Sequence, residues 1–210
     1  MFFDDRDYFE YLKILKRVAD SCHCAIHAYV LMTNHVHLLL TPRAENSISR
    51  LFQECGRQYV SYINRTYRRR GTLWEGRHTG MIVESAGYLL TCMRYIEGNP
   101  VRAGLVGSPE QYRWSSYGAN ALGEGNCIVN PHAEYMNLGQ TLSACRQAYR
   151  SLFEAVSTSD EVVRIRNCTL SGTPIGSDRF KQQIEKTVKR KVGAETRGRP
   201  AQRRTLDLTS

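Results

Sequence analysis

The segment AIHAYVLMTNHVHLLLTP, residues 25–42, most restricts what this chain can fold into. Two short apolar runs flank Met32-Thr33-Asn34, a sequence suited to a turn. That pattern predicts a β-hairpin with strands near 25–31 and 35–41, because one strand of that length is uncommon. Side chains alternate along a strand, so His35 and His37 project from one face while Val36, Leu38 and Leu40 project from the other, toward helices.

Helical patterns surround the hairpin. Phe9, Leu12, Leu15 and Val18 recur at helical spacing over 4–19, with Asp4 and Asp5 at the end that favours negative charge. Residues 47–69 carry Ile48, Leu51, Phe52, Cys55, Tyr59, Ile63 and Tyr67 on one face, with Asn46 or Ser47 as the cap. Gly80 to Val83 reads as a strand. A helix then runs from Ser85 to about Glu97, stopped by Gly98 and Pro100. The order helix, strand, strand, helix, strand, helix predicts an α+β fold. It is a ferredoxin-like antiparallel sheet with helices on one face, lacking its first strand. Residues 118–130 read as a linker, 138–156 and 178–191 as helices, and the Gly-, Arg- and Pro-rich stretch from Gly193 as a disordered tail. The predicted division is a domain over 1–120, a helical C-terminal region over 121–192 and a basic tail over 193–210.

No run of eighteen apolar residues exists, so no membrane span is expected, and the acidic start MFFDDRDYFEYL is unlike a signal peptide. The expected place is the cytosol, with the seven cysteines as reduced thiols. Cys22, His23, Cys24 and His27 lie close enough to suggest zinc, but no second pair follows at finger spacing. The net charge of +9 favours a polyanionic partner. It is concentrated in two blocks: seven arginines against two acids between Arg50 and Arg77, and eight basic residues against one acid from Lys186 to Arg204. Arg57, Arg65, Arg68, Arg69 and Arg70 suit either a solvated face or phosphate contact. The tail around Arg199 suits either a DNA-tracking arm or a solvated end. Trp74 and Trp114 suit core packing better than base stacking.

His35 and His37 suit a divalent metal, or a merely polar sheet face; spacing alone leaves both open. Tyr95 and Asn99 lie four apart, one face of a helix, although Pro100 can leave Asn99 just past its end.

The motifs HAYVLMTNHVHLLLTP, GTLWEGRHTGMIV, RYIEGNPVRAGLV and YRWSSY, in that order over residues 5–117, resemble the REP-associated tyrosine transposases. These are single-tyrosine members of the HUH superfamily, similar to insertion-sequence-200 transposases. GTPIGSDRF and the GRP-containing tail resemble the family's C-terminal part. The resemblance implies a metal-dependent enzyme with Tyr95 as nucleophile, His35 and His37 as the metal-binding pair and Asn99 as a third ligand. Magnesium or manganese is the implied metal. Arg77 and Arg102 fall inside the motifs, which favours a DNA-contact or structural role. The implied partner is single-stranded or hairpin DNA with palindromic repeats, nicked and rejoined through a 5′-phosphotyrosine. Two other readings compete: a DNA-binding protein that recognises palindromic repeats without cutting, and a small metal hydrolase, which lacks a carboxylate in the HVH motif.

The resembled family has a strand before the first helix, whereas MFFDDRDYF already stands at that helix's entrance. The expectation is a start further upstream, a weakly active remnant, or a substitute strand from the C-terminal half or a partner.

Overall fold

The computed structural model describes residues 1–76, 78–154 and 159–192. Helix α1 spans Asp5–Ser21, strands β1 and β2 span Cys24–Leu31 and Val36–Pro42, and α2 spans Ser47–Thr66. Helix α3 is Ser85–Glu97 and α4 Asn99–Arg102, followed by short turns at Pro109–Gln111 and Gly118–Leu122. Helices α5 (Ala133–Met136), α6 (Leu142–Glu154), α7 (Ser159–Ser171) and α8 (Asp178–Val188) complete the chain.

The start of α1 shows how the sequence fixes local structure. Asp4 caps the helix by accepting the Arg6 N–H, and Asp7 returns the favour by accepting the Asp4 N–H at 3.1 Å. Asp7 is also fully buried and accepts from Phe3 N (2.8 Å), Tyr62 Oη (3.0 Å) and Tyr67 Oη (2.8 Å). One carboxylate therefore joins the chain start, α1 and the end of α2. Phe2 stacks on Tyr8, and Tyr8 on Trp114 with centroids 4.5 Å apart, so Trp114 is a core residue. Asn46 does not cap α2 as expected: it stands at the N-cap in a left-handed conformation and makes no side-chain cap bond.

The strands pair antiparallel, with Leu31 opposite Val36, Val30 opposite His37 and Ile26 opposite Leu40. A bulge between Ile26 and Ala28 leaves His27 as an extra residue. Its ring bridges Asn130 O (2.7 Å) and Thr41 Oγ1 (2.9 Å), and burial lowers its proton affinity. Ile26, Tyr29, Leu31, Val36, Leu38 and Leu40 face one core with α1 and α2. Ala28, Val30, Met32 and Leu39 face a second core with α3 and residues of α5, α6 and α7. Residues on both sides of position 120 thus share that second core.

The α+β class, the antiparallel hairpin and helices within 138–156 and 178–191 are as expected, whereas α7 between them is an addition. Three further details differ. Helices cover both faces of the hairpin rather than one, because both faces of β1 are apolar: all eight of its residues are buried. Residues 80–83 do not join the sheet; Val83 pairs in parallel with Ile175, and Glu84 N donates to Ile175 O at 2.9 Å. Residues 118–130 are no free linker. Leu31 N donates to Trp114 O, Ser116 N to Tyr29 O and Asn130 N to Ile26 O, so this stretch and the one before it cover the outer edge of β1. Isolated bridges and single backbone bonds, not a strand, cover that edge. The outer edge of β2 has no strand partner among the described residues, and this is the place the expected order gives to the first strand. The expected disordered tail lies outside the described residues.

Candidate active site

The hairpin turn and α3 build the site. Met32 N donates to His35 O at 2.8 Å, which closes the turn and begins the HVH segment. Alternation then sends His35 and His37 to the α3 side, and their Nε2 atoms stand 3.1 Å apart. Asn34 Oδ1 lies 2.7 Å from His35 Nδ1. An amide oxygen only accepts, so His35 carries its proton on Nδ1 and presents an Nε2 lone pair. Burial lowers the proton affinity of both rings, and that of His37 falls to about 4, helped by His35 and Arg102. Both imidazoles are therefore neutral near pH 7, which is the state that binds metal.

From the facing helix, Tyr95 reaches this pair, its ring centroid 6.1 Å from that of His37. The Arg102 guanidinium lies over the Tyr95 ring at 4.5 Å and donates to Tyr95 O. Helix α3 ends at Gly98 with φ −84° and ψ −3°, and α4 begins at once with Asn99, so Asn99 follows Tyr95 by about one turn. The Asn99 amide nitrogen is buried without a hydrogen-bond partner. That is an anomaly for a buried donor; the NH2 group itself cannot coordinate a cation, which only the Asn99 Oδ1 could do.

Among the described residues, no group of three or more His, Cys, Asp or Glu stands where it could hold a metal. The two neutral imidazoles, whose Nε2 atoms converge, nevertheless suit a divalent ion that would take its remaining ligands from water, phosphate oxygen or an amide oxygen. The zinc alternative at Cys22–His27 finds no support: Cys22 and Cys24 are buried and both His27 nitrogens are engaged.

His35, His37, Tyr95 and Arg102 are thus brought together, with Asn99 on the adjoining turn. Arg57, Arg65, Arg68, Arg69 and Arg70 are exposed on or just beyond α2, the layer opposite the one that carries Tyr95. Of these, Arg57 pairs with Glu54, and Arg69 lies over the Phe3 ring. Arg77 and Arg199 lie outside the described residues.

Sequence reasoning passed over Glu97. This carboxylate is fully buried and accepts hydrogen bonds from Ser116 Oγ, Asn120 Nδ2 (2.8 Å) and Tyr149 Oη (2.7 Å). Burial pushes it up to about 7 against three donors that pull it down. A signal was present: Leu89, Met93 and Glu97 are spaced by four, so the acid falls on the apolar stripe of α3.

Residues 1–99 match the family described as "Transposase IS200 like". The match takes in just under half of the chain and likens that part to the transposases of this family. It ends at Asn99, and so takes in the histidine pair and Tyr95. No curated protein and no solved structure matches the chain. No helix among the described residues is long and apolar enough to cross a membrane.

Proposed function

We propose that this chain nicks and rejoins single-stranded or hairpin DNA, with Tyr95 as the nucleophile and the resulting 5′-phosphotyrosine as the covalent intermediate. The observation that carries this reading is the meeting of the HVH pair and Tyr95 on one face of the hairpin, inside the matched segment. Tyr95 Oη attacks the scissile phosphorus in line, the 3′-oxygen leaves as a free hydroxyl, and the phosphodiester is exchanged for a phosphotyrosine bond. No energy source is required, and the 3′-hydroxyl can reverse the step.

His35 and His37, with Asn99, would hold a divalent ion, magnesium or manganese. When bound, that ion polarises the phosphate and offsets charge in the transition state. Asn34 keeps the His35 lone pair on Nε2, facing His37. Arg102 pins the Tyr95 ring and holds a fixed cation over its face, from where it can also contact phosphate. The exposed arginines on and beyond α2 would contact backbone phosphates away from the scissile bond.

The test is incubation of the protein with labelled palindromic hairpin DNA and Mg²⁺ or Mn²⁺, followed by denaturing gel electrophoresis. The expected product is a covalent adduct that disappears in Tyr95→Phe, whose DNA affinity is unchanged, and in His35→Ala. An adduct in Tyr95→Phe would overturn the assignment. Tight binding with no adduct under any metal would point to the non-cleaving reading.

A further inference from the structure

We propose that Glu97 is a positioning residue for Tyr95, its buried carboxylate tying the end of α3 to the 116–120 strap and to α6. The inference rests on the reading of Tyr95 as nucleophile, but the contacts that carry it are independent of that reading.

Glu97 follows Tyr95 by two residues, about 200° around a helix, so it points away from the histidines and into the second core. It cannot touch DNA there. What it touches are three donors from outside its own helix. Ser116 and Asn120 come from the strap, and Tyr149 comes from α6. The strap is in turn bonded to β1: Ser116 N donates to Tyr29 O (3.0 Å), Tyr29 N to Ser116 Oγ (2.8 Å) and Asn120 Nδ2 to His27 O (3.0 Å). Val30, next to Tyr29, lies opposite His37 in the hairpin. These bonds close a ring: Tyr95 to Glu97 along α3, Glu97 to the strap, the strap to β1, and β1 to His37. The ring fixes the approach of the tyrosine helix to the histidine strand.

Stability alone does not account for the carboxylate. Replacing the acid together with its donors by apolar groups of similar volume is often neutral or stabilising, although removing the acid alone would leave those donors unpaired. What an acid with three satisfied donors adds is uniqueness of arrangement, since no shifted packing satisfies all of them. Every donor lies beyond residue 99, outside the matched segment. The C-terminal helices therefore act on the chemistry from behind, by holding the helix that carries the nucleophile.

Three variants of the full chain test this: Glu97→Ala, Glu97→Gln and Tyr149→Phe. The last removes one hydroxyl from α6 and leaves α3 unaltered, so it serves if Glu97→Ala does not fold. Two readouts are taken: hydrogen exchange of backbone amides 93–98 without DNA, and single-turnover adduct formation on hairpin DNA with Mn²⁺. Hairpin affinity is measured with the metal chelated. Glu97→Ala and Tyr149→Phe should lose protection at 93–98 and slow the covalent step about tenfold to a hundredfold, the range expected for a displacement near 1 Å. Affinity should stay within about twofold, which separates positioning from general damage. Glu97→Gln, which keeps an acceptor oxygen, should recover most of the rate. A folded Glu97→Ala or Tyr149→Phe protein with wild-type protection and rate overturns the proposal. If the wild-type chain forms no adduct, the nucleophile reading falls, and exchange alone decides whether the carboxylate holds α3: lost protection supports it and unchanged protection refutes it.

Discussion

Gly98→Ala removes Arg102 from Tyr95 without altering either residue. A methyl group built on Gly98 would stand 2.9 Å from Arg102 Nη1 and 3.0 Å from Arg94 O. The backbone there has φ −84°, which alanine adopts freely, so the perturbation is steric and not conformational. The carbonyl is held within the last turn and can shift only a few tenths of an ångström. The guanidinium is the free end of a long side chain, and it is what moves. Moving it forfeits a cation–π contact of about 0.5–1 kcal/mol and a charge-assisted hydrogen bond of about 1–2 kcal/mol at this partly open position. Alanine returns about 0.5–1 kcal/mol through the unfolded chain, so the net destabilisation is about 1 kcal/mol and the thermal midpoint falls by only a few degrees. The effect on chemistry should be larger. Loss of a fixed cation held over the nucleophile's ring and able to contact the scissile phosphate costs about a hundredfold in the covalent step. The assay is single-turnover adduct formation by Gly98→Ala, Arg102→Ala and the double variant. If the glycine acts by seating Arg102, the double variant is no slower than Arg102→Ala. Two losses that add, or a Gly98→Ala protein with wild-type rate, would refute the reasoning.

Asp7→Ala should destabilise the fold by about 2–4 kcal/mol in urea denaturation, because two backbone N–H groups and two phenols lose their shared acceptor. A change under about 0.5 kcal/mol would show that water replaces the carboxylate there. Burial pushes the Cys55 and Cys92 thiols up to about 12, so at pH 8 about one in ten thousand is thiolate in the native state. Iodoacetamide should then modify exposed Cys127 first and reach Cys55 and Cys92 only as the chain unfolds, and equal native-state labelling of Cys55 and Cys127 would contradict the structure.

Periodicity made helices α1, α2 and α3 legible, since each buries one stripe, and the hairpin was legible as two apolar runs flanking a turn. The two histidines could be assigned to one side because side chains alternate along a strand. Other features were not legible because they depend on partners distant in the chain. The GMIV run does bridge to another segment, but the partner is Ile175 and not β2, and nothing local distinguishes the two. Helix α7 escaped notice because the apolar residues in SDEVVRIRNCTLS form no clean stripe, and of them only Ile165 is fully buried. The stretch 118–130 has the glycine and asparagine content of a linker, yet Asn120 and Ile128 are buried by contacts with β1 and its neighbours. Glu97 was legible as an acid on an apolar stripe, but its three donors, 19 to 52 residues away in the chain, were not.

The bulge at His27 works as a phase shifter. On either side of it the strand keeps its own parity of inward and outward residues, and the extra residue absorbs the mismatch. A one-residue slip in Cys24–Ile26 against Leu40–Pro42 can therefore end at the bulge and need not travel to the other end of the ladder. The stretch that sets the histidines, Ala28–Leu31 against Val36–Leu39, is insulated from the loop ends at Cys22 and Arg43. Sequence drift, insertions or mechanical load at that far end of the hairpin are then decoupled from the spacing between His35, His37 and the tyrosine helix.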